Sequence, residues 1–311
     1  MTMHLFGAVV TPHAVAANNR GENEGNMTTL QKLLWNGDVH TTVSAEAIRW
    51  ALRADWQGRG MAVNRAWDED TRRHEWQDRD FVKGGEPFID DDVLGYMSAQ
   101  AAKEEVDAED APPAARGAGR KARGTATVRR SRFEATRAVS VTPWGGDVVF
   151  NVAGVNATPS ASRTGTTPVP YSGEVHATRY QYGFALTPDA LLERARAMAV
   201  VDAIMDLAEV AGSHARYFYD FAPDAIIFRW TSDPAPRILY PYCLDAETRL
   251  CVPELLRRLR AGDILADELV VGGSLAETPD GRALAEHGVI VHAGVKAAAR
   301  DVKERLARNG A

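Results

Sequence analysis

Three consecutive carboxylates, Asp90-Asp91-Asp92, form the densest acidic cluster of the chain. On a strand alternate side chains share a face, so Asp90 and Asp92 can converge on a Mg²⁺ ion and activate water for phosphodiester hydrolysis. The plainer reading is an exposed turn or sheet edge with a solvated charge run, and it carries more weight. Other signatures of catalysis are missing. There is no G-x-x-x-x-G-K-[ST], no G-x-S-x-G to expose Ser274 after Gly272-Gly273, and the eight histidines show neither H-x-x-x-H nor H-x-H spacing. The residues predict no catalytic group, no metal site and no cofactor.

Binding chemistry is better represented. Asn18-Asn19-Arg20-Gly21-Glu22-Asn23-Glu24-Gly25-Asn26 is rich in residues that tolerate left-handed backbone, so it predicts a shaped loop. Its backbone N–H groups and Asn amides can nest phosphates, with Arg20 as the charge-assisted donor, although Glu22 and Glu24 oppose this. From composition alone an ordinary structured loop carries somewhat more weight. Arg49 and Arg53 stand one helical turn apart, as either a solvated face or a stripe that tracks phosphates. The net charge of −6 argues against nucleic-acid binding only if charge is evenly spread. It is not: residues 112–137 carry Arg116, Arg120, Lys121, Arg123, Arg129, Arg130, Arg132 and Arg137 against Glu134 alone.

These residues need elements to hold them. Met3–Val10 reads as a buried strand, and Ser44 as the N-cap of a helix from Ala45 to about Ala54, with Val43 and Ile48 as a hydrophobic staple. Residues 99–124 are rich in Ala, Gly, Pro and charge and are expected to be mobile. From Val139 to Leu186 the composition predicts a long β-hairpin with an irregular tip at 156–170. A helix is predicted to run from a Thr187 cap and Pro188 to a stop at Gly212. Strands are expected at Arg216–Phe221 and Ala225–Thr231. The C-terminal part reads as helix Pro253–Ala261, strand Glu268–Val271, a helix after Thr278-Pro279, strand Val289–His292, and an amphipathic helix ending at Arg308.

The 311 residues, 45% hydrophobic, suffice for one elaborated α+β domain. The element order predicts a modified RNA-recognition or ferredoxin-like (split βαβ) core with large insertions. Cys243 and Cys251 are too few for a zinc site or a disulfide framework and read as reduced thiols. Without a secretory signal or a membrane-length apolar run, the expected location is the cytoplasm, away from membranes.

Four segments together resemble a known family: the Asn-rich loop, Thr42-Val43-Ser44-Ala45-Glu46-Ala47-Ile48-Arg49, Phe88-Ile89-Asp90-Asp91-Asp92-Val93-Leu94-Gly95-Tyr96, and Tyr219-Asp220-Phe221-Ala222-Pro223-Asp224. They look like the DevR-like autoregulator family of CRISPR-associated proteins. This is the backbone subunit of type I, especially I-B, Cascade complexes in the RAMP superfamily. The resemblance implies a right-hand shape: a palm core at 1–60 and 180–311, a finger-like insertion at about 61–138, and a β-hairpin thumb at about 139–180.

It further implies that several copies line up along one CRISPR RNA and present it to target DNA in antiviral defence or RNA-guided targeting. Partners would be other copies of the chain, a handle-capping subunit, large and small subunits, and the repeat-processing endoribonuclease. Carried over by position, Asn18, Asn19, Arg20, Asn23 and Asn26 in the loop and Ser44, Arg49 and Arg53 on the helix would meet RNA phosphates. Arg20 and Arg49 are then expected to be exposed. Arg163 and Arg179 on the thumb join them, Val152, Val155 or Pro159 would wedge between bases, and Arg129, Arg130 and Arg132 would track nucleic acid or a neighbouring subunit. Two other readings stand beside this one: a metal-dependent ribonuclease using Asp90 and Asp92, and an autoregulator of its own operon.

Overall fold

In the computed structural model, residues 2–17, 23–25, 27–99, 126–152, 170–210 and 217–308 are described. Strand β1 (His4–Val10) shows no alternation, because every residue from Leu5 to Val10 is buried. A strand with this pattern needs a layer on each face. Both layers are present. The main sheet of nine strands contains β1, β2 (Lys32–Trp35), β3 (Asp38–Val43), β4 (Phe133–Ala135), β5 (Ala138–Ser140), β6 (Tyr180–Leu186), β7 (Ala225–Thr231), β8 (Leu269–Gly273) and β9 (Ile290–His292). Its order is β9-β8-β7-β1-β6-β5-β3-β2, with β4 also paired to β6. Only β8 and β9 run parallel.

The helices are α1 (Ala45–Gly58), α2 (Ile89–Leu94), α3 (Arg196–Met205), α4 (Pro253–Ala261), α5 (Pro279–Glu286) and α6 (Val295–Arg308). Leu5, Val9, Tyr182, Phe184, Ile226 and Phe228 face the core shared with α1, α2, α3 and α6. Phe6, Ala8, Val10, Ile227 and Val271 face the other way, towards α4 and α5. The α+β class and the C-terminal succession of elements follow the sequence expectation closely.

Local chemistry accounts for the joints. Asn36 and Gly37 both have positive φ, 51° and 95°, which is the type I′ turn that a two-residue β2–β3 hairpin requires. Ser44 caps α1 as expected, its hydroxyl accepting from Ala47 N at 3.2 Å. Between β4 and β5 the register against β6 slips by one, from Ala135 opposite Phe184 to Val139 opposite Gln181. This is a β-bulge, and the Thr136 hydroxyl fills it by accepting from Gly183 N at 2.8 Å.

Two expected elements differ. The helix predicted from Thr187 to Gly212 is only a 3₁₀ turn at Pro188–Ala190, and α3 then occupies Arg196–Met205. Leu191 is extended between them (ψ 148°), and the Leu192 and Glu193 N–H groups turn to the Asp92 carboxylate instead of a helical carbonyl. The expected strand at 216–221 is not formed in its described part: Tyr219 and Phe221 are buried as irregular chain.

Close approach between β1 and β6 depends on Gly7, where an added Cβ would stand 2.1 Å from the Phe184 ring. Gly7→Ala is therefore expected to cost about 1–3 kcal/mol by overpacking, read as a lower urea midpoint with an unchanged slope.

Candidate nucleic-acid interface

A hairpin of Val148–Val152 and Pro170–Glu174 projects between β5 and β6. It is shorter than the expected span, because residues 138–140 and 180–186 belong to the main sheet. Its tip, with Val155, Pro159 and Arg163, lies outside the described residues. Along its first strand Val148, Phe150 and Val152 are 50%, 69% and 52% exposed, with less exposed residues between them. This is an apolar ladder on an open face of a two-residue period. The sequence reading singled out Val152 but missed Phe150. The signal was there, in the Val-x-Phe-x-Val alternation before the irregular tip.

The Asn-rich loop meets this hairpin. Met27–Thr28 pairs in parallel with the returning hairpin strand, Met27 opposite Ser172 and Thr28 opposite Gly173, and folds back onto Asn23–Glu24. Loop and hairpin thus form one four-stranded sheet. The loop's far end is fixed by buried Glu174, which accepts from Leu30 N at 2.7 Å and Lys32 Nζ at 2.5 Å. Lys32 also lies 4.3 Å over the Trp144 ring. Of the loop residues put forward, only the backbone of Asn23 is described; Asn18, Asn19, Arg20 and Asn26 fall outside.

The hairpin root is polar and closed. His176 is buried, its Nδ1 2.7 Å from Thr41 Oγ1, and burial pushes its pKa down to about 4. Arg179 bonds Asp224 at 2.5 Å and the Thr11 carbonyl at 3.0 Å, and it keeps part of its guanidinium in solvent.

The helix residues behave differently from expectation. Ser44 uses its hydroxyl as the α1 cap. Arg49 is half-buried, donating to Ser131 Oγ, Phe133 O and Leu94 O, and burial, with the neighbouring Arg53 charge, lowers its pKa. Arg53 donates to Asp90 at 2.9 Å with 11% of its side chain exposed. The Arg49/Arg53 stripe is real, but its partner lies inside the protein, because α2 packs against α1. The expectation that Arg49 is exposed is corrected.

For Arg53 that partner is in the acidic cluster, whereas Arg49 is held by Ser131 and two backbone carbonyls. Asp90, Asp91 and Asp92 are not a strand or an exposed edge; they lie on α2 and all three are buried. The apolar residues decide this, since Ile89 and Val93 have helical i, i+4 spacing and enter the core together. Asp90 accepts from Arg53 Nε, Asn64 N (2.7 Å) and Arg65 N (3.2 Å). Asp91 accepts from Asn64 Nδ2 at 2.8 Å. Asp92 accepts from Arg129, Arg196 Nη1 (2.8 Å) and Leu192 N (3.0 Å). On a helix residues i and i+2 point apart, and each carboxylate already has its own donors. Among the described residues no group of three or more His, Cys, Asp or Glu is placed to hold a metal ion. The convergence of Asp90 and Asp92 on Mg²⁺ is not formed.

The basic segment divides accordingly. Arg129 is held by Asp92. Arg130 is 78% exposed and, among the described residues, pairs with Glu134, four residues on. Arg132 lines a cleft of about 290 Å³ with His4, Arg130, Ser131, Glu134 and Thr187, and its buried Nε has no hydrogen-bond partner among the described residues.

The fold built on this large sheet is similar to that of chains from CRISPR RNA-guided surveillance complexes. One such chain, from a complex in a pre-nicking state, matches with a TM-score of 0.57 and 12% identity over 96% of this chain and 99% of its own. A chain from another such complex gives 0.51 and 15% over 97% and 100%. In sequence, this chain is 46% identical over 318 residues, 98% of each protein, to the CRISPR-associated protein Cas7/Cst2/DevR of Myxococcus xanthus DK1622. Residues 9–194 match the model of the CRISPR-associated negative auto-regulator DevR/Csa2 family. The chain belongs to this DevR/Csa2 family of CRISPR-associated proteins. Among the described residues no helix is long and apolar enough to cross a membrane.

Burial, and then the neighbouring Asp90 charge, push Asp91 up to about 7. The folded state therefore holds a proton that the unfolded chain releases near pH 4, and this contribution to stability declines as pH rises from about 4 to 7. Asp91→Asn removes that slope. Its melting temperature is expected to gain on the parent between pH 5 and pH 8, by the equivalent of about 1–4 kcal/mol. A constant difference across that range would refute the assignment.

Proposed function

We propose that this chain is the CRISPR RNA-binding backbone subunit of a type I surveillance complex, of the I-B kind, working in the cytoplasm without catalytic activity of its own. The observation that carries the reading is the continuous sheet joining the Asn-rich loop to the hairpin with its open Val148-Phe150-Val152 face. Such a surface combines a polar edge for phosphates with an apolar ladder for bases, which is how single strands are held without sequence preference. In this reading the core is a modified RNA-recognition platform, the hairpin is the thumb, and residues 61–138 are the finger-like insertion. Phe150 and Val152 support the base next to the thumb. Asn18, Asn19, Arg20, Asn23, Asn26, Arg163 and Arg179 hold the backbone, and Arg130 and Arg132 offer a second phosphate cleft. Arg49, Arg53 and Ser44 brace the helix behind them rather than touch RNA.

Copies of the chain would repeat along one guide, so affinity grows with RNA length. The capping, large and small subunits, the repeat-processing endoribonuclease and target DNA complete the partners. A second reading, regulation of its own operon, rests on the auto-regulator description of the matching family.

Co-expression with a repeat-spacer array and the neighbouring genes, followed by sequencing of the RNA that copurifies, tests the first reading. Discrete guide RNAs with several copies of the chain support it; a nucleic-acid-free monomer that binds operator DNA favours the second. Residue roles separate by salt dependence. Arg20→Ala and Arg130→Ala are each expected to lower the slope of log affinity against log salt by about 0.7, with folding intact by circular dichroism. Phe150→Ala is expected to weaken binding about 5- to 100-fold without changing that slope.

A further inference from the structure

Outside the candidate interface, residues 242–252 cross the sheet face that packs on α4 and α5. Tyr242 is fastened at three points: its N–H donates to Gln181 Oε1 at 3.1 Å, its carbonyl accepts from Gln181 Nε2 at 3.0 Å, and its hydroxyl donates to the Ala8 carbonyl at 3.0 Å. The next residues, Cys243-Leu244, pair antiparallel with Leu250-Cys251 and place Cys243 directly opposite Cys251. Asp245 closes the turn, its N–H donating to Arg249 O at 2.9 Å and its Oδ1 accepting from Arg249 N at 2.9 Å. Beyond the pair, Val252 N donates to Asp280 Oδ2 at 2.7 Å and ties the segment to α5. The two cysteines are held in register from both ends.

Hydrogen-bonded and non-bonded pairs alternate along an antiparallel ladder, so the bonded Asp245–Arg249 pair makes Cys243–Cys251 a bonded pair as well. Its Cα atoms are then about 5.5 Å apart, within the range of about 4.4–6.8 Å that a disulfide spans, while its Cβ atoms, at about 5.5 Å, must close by about 1 Å, so the bridge is strained and readily reduced. Cys243 Sγ lies 3.5 Å from the Cys251 carbonyl oxygen, on the side facing its partner. Both thiols are free and half-buried, so a small oxidant reaches them.

We propose that Cys243 and Cys251 form a dithiol modification site that hydrogen peroxide converts to a cross-strand disulfide. The Cys243 thiolate attacks one peroxide oxygen, the O–O bond breaks, and hydroxide leaves to take up the proton that Cys243 released. The Cys251 sulfur then attacks the resulting sulfenic sulfur, the S–O bond breaks, and water leaves with the Cys251 proton. Two thiols and one peroxide give one disulfide and two waters. Burial and the adjacent Cys243 push the Cys251 thiol up to about 12, so Cys251 is not the sulfur that meets peroxide first; it gives up its proton only as it attacks the neighbouring sulfenic acid. The bond would close the 243–251 loop beside the Tyr242 anchor to β1 and β6.

The test treats the purified full-length chain with a few equivalents of hydrogen peroxide, removes the excess with catalase, alkylates with N-ethylmaleimide and weighs the intact protein. The reduced chain is expected to take up two labels, and the oxidised chain none while losing two hydrogens. Dithiothreitol should restore both labels, and a peptide map should join the Cys243 and Cys251 peptides. Cys251→Ser should stop at a dimedone-reactive sulfenic acid on Cys243. Two thiols still open to alkylation, separate sulfinic acids, or a disulfide-linked dimer would each overturn the proposal.

Discussion

Three adjacent carboxylates cannot leave water unless every one of them is met by donors. On α2 this constraint organises the chain's middle. Asp90 gathers Arg53 from α1 and the backbone at Asn64 and Arg65. Asp92 gathers Arg129 from the basic segment and Arg196 from α3. Arg196 in turn donates to the Gly85 and Glu86 carbonyls. One short helix thereby fixes four distant stretches of chain to each other. Removing one member of such a buried set leaves its partners uncompensated, typically at about 3–5 kcal/mol.

The same constraint breaks the helix before α3. Leu192 and Glu193 give their N–H groups to Asp92, and the continuous helix that Thr187 and Pro188 announce is interrupted there. Gly95, with φ of 69°, completes the joint, since a Cβ there would stand 2.4 Å from the Arg129 carbonyl. The ribbon of Tyr96–Ala99 and Ala126–Arg129 is thus set against α2 by backbone contact and by charge.

Beside this interior, the exposed apolar face of the hairpin is anchored at its described root. Glu174, Lys32 and Trp144 secure the place where loop and hairpin meet, while Phe150 and its neighbours stand in solvent. Within the frame, burial shifts the titrating groups Asp91 and His176.

The sequence by itself determined the elements whose signals are local. Ser44 as a cap, the apolar run of β1, and Pro253, Pro279 and the glycines of the C-terminal part each act within a few residues, so no distant partner changes their meaning. It also carried the family, through segments whose joint occurrence is specific. Tertiary structure alone decided where charges point. Arg49 and Arg53 read as an outward stripe and Asp90–Asp92 as a solvated run, but Arg53 meets Asp90 and Arg49 meets the Leu94 carbonyl, each some forty residues away. A side chain's periodicity states which face it is on, but whether that face meets water or an opposite charge depends on what packs there. The pairing of the Asn-rich loop with the hairpin, across residues 27 and 172, is of the same kind: parallel strands carry no turn to announce them.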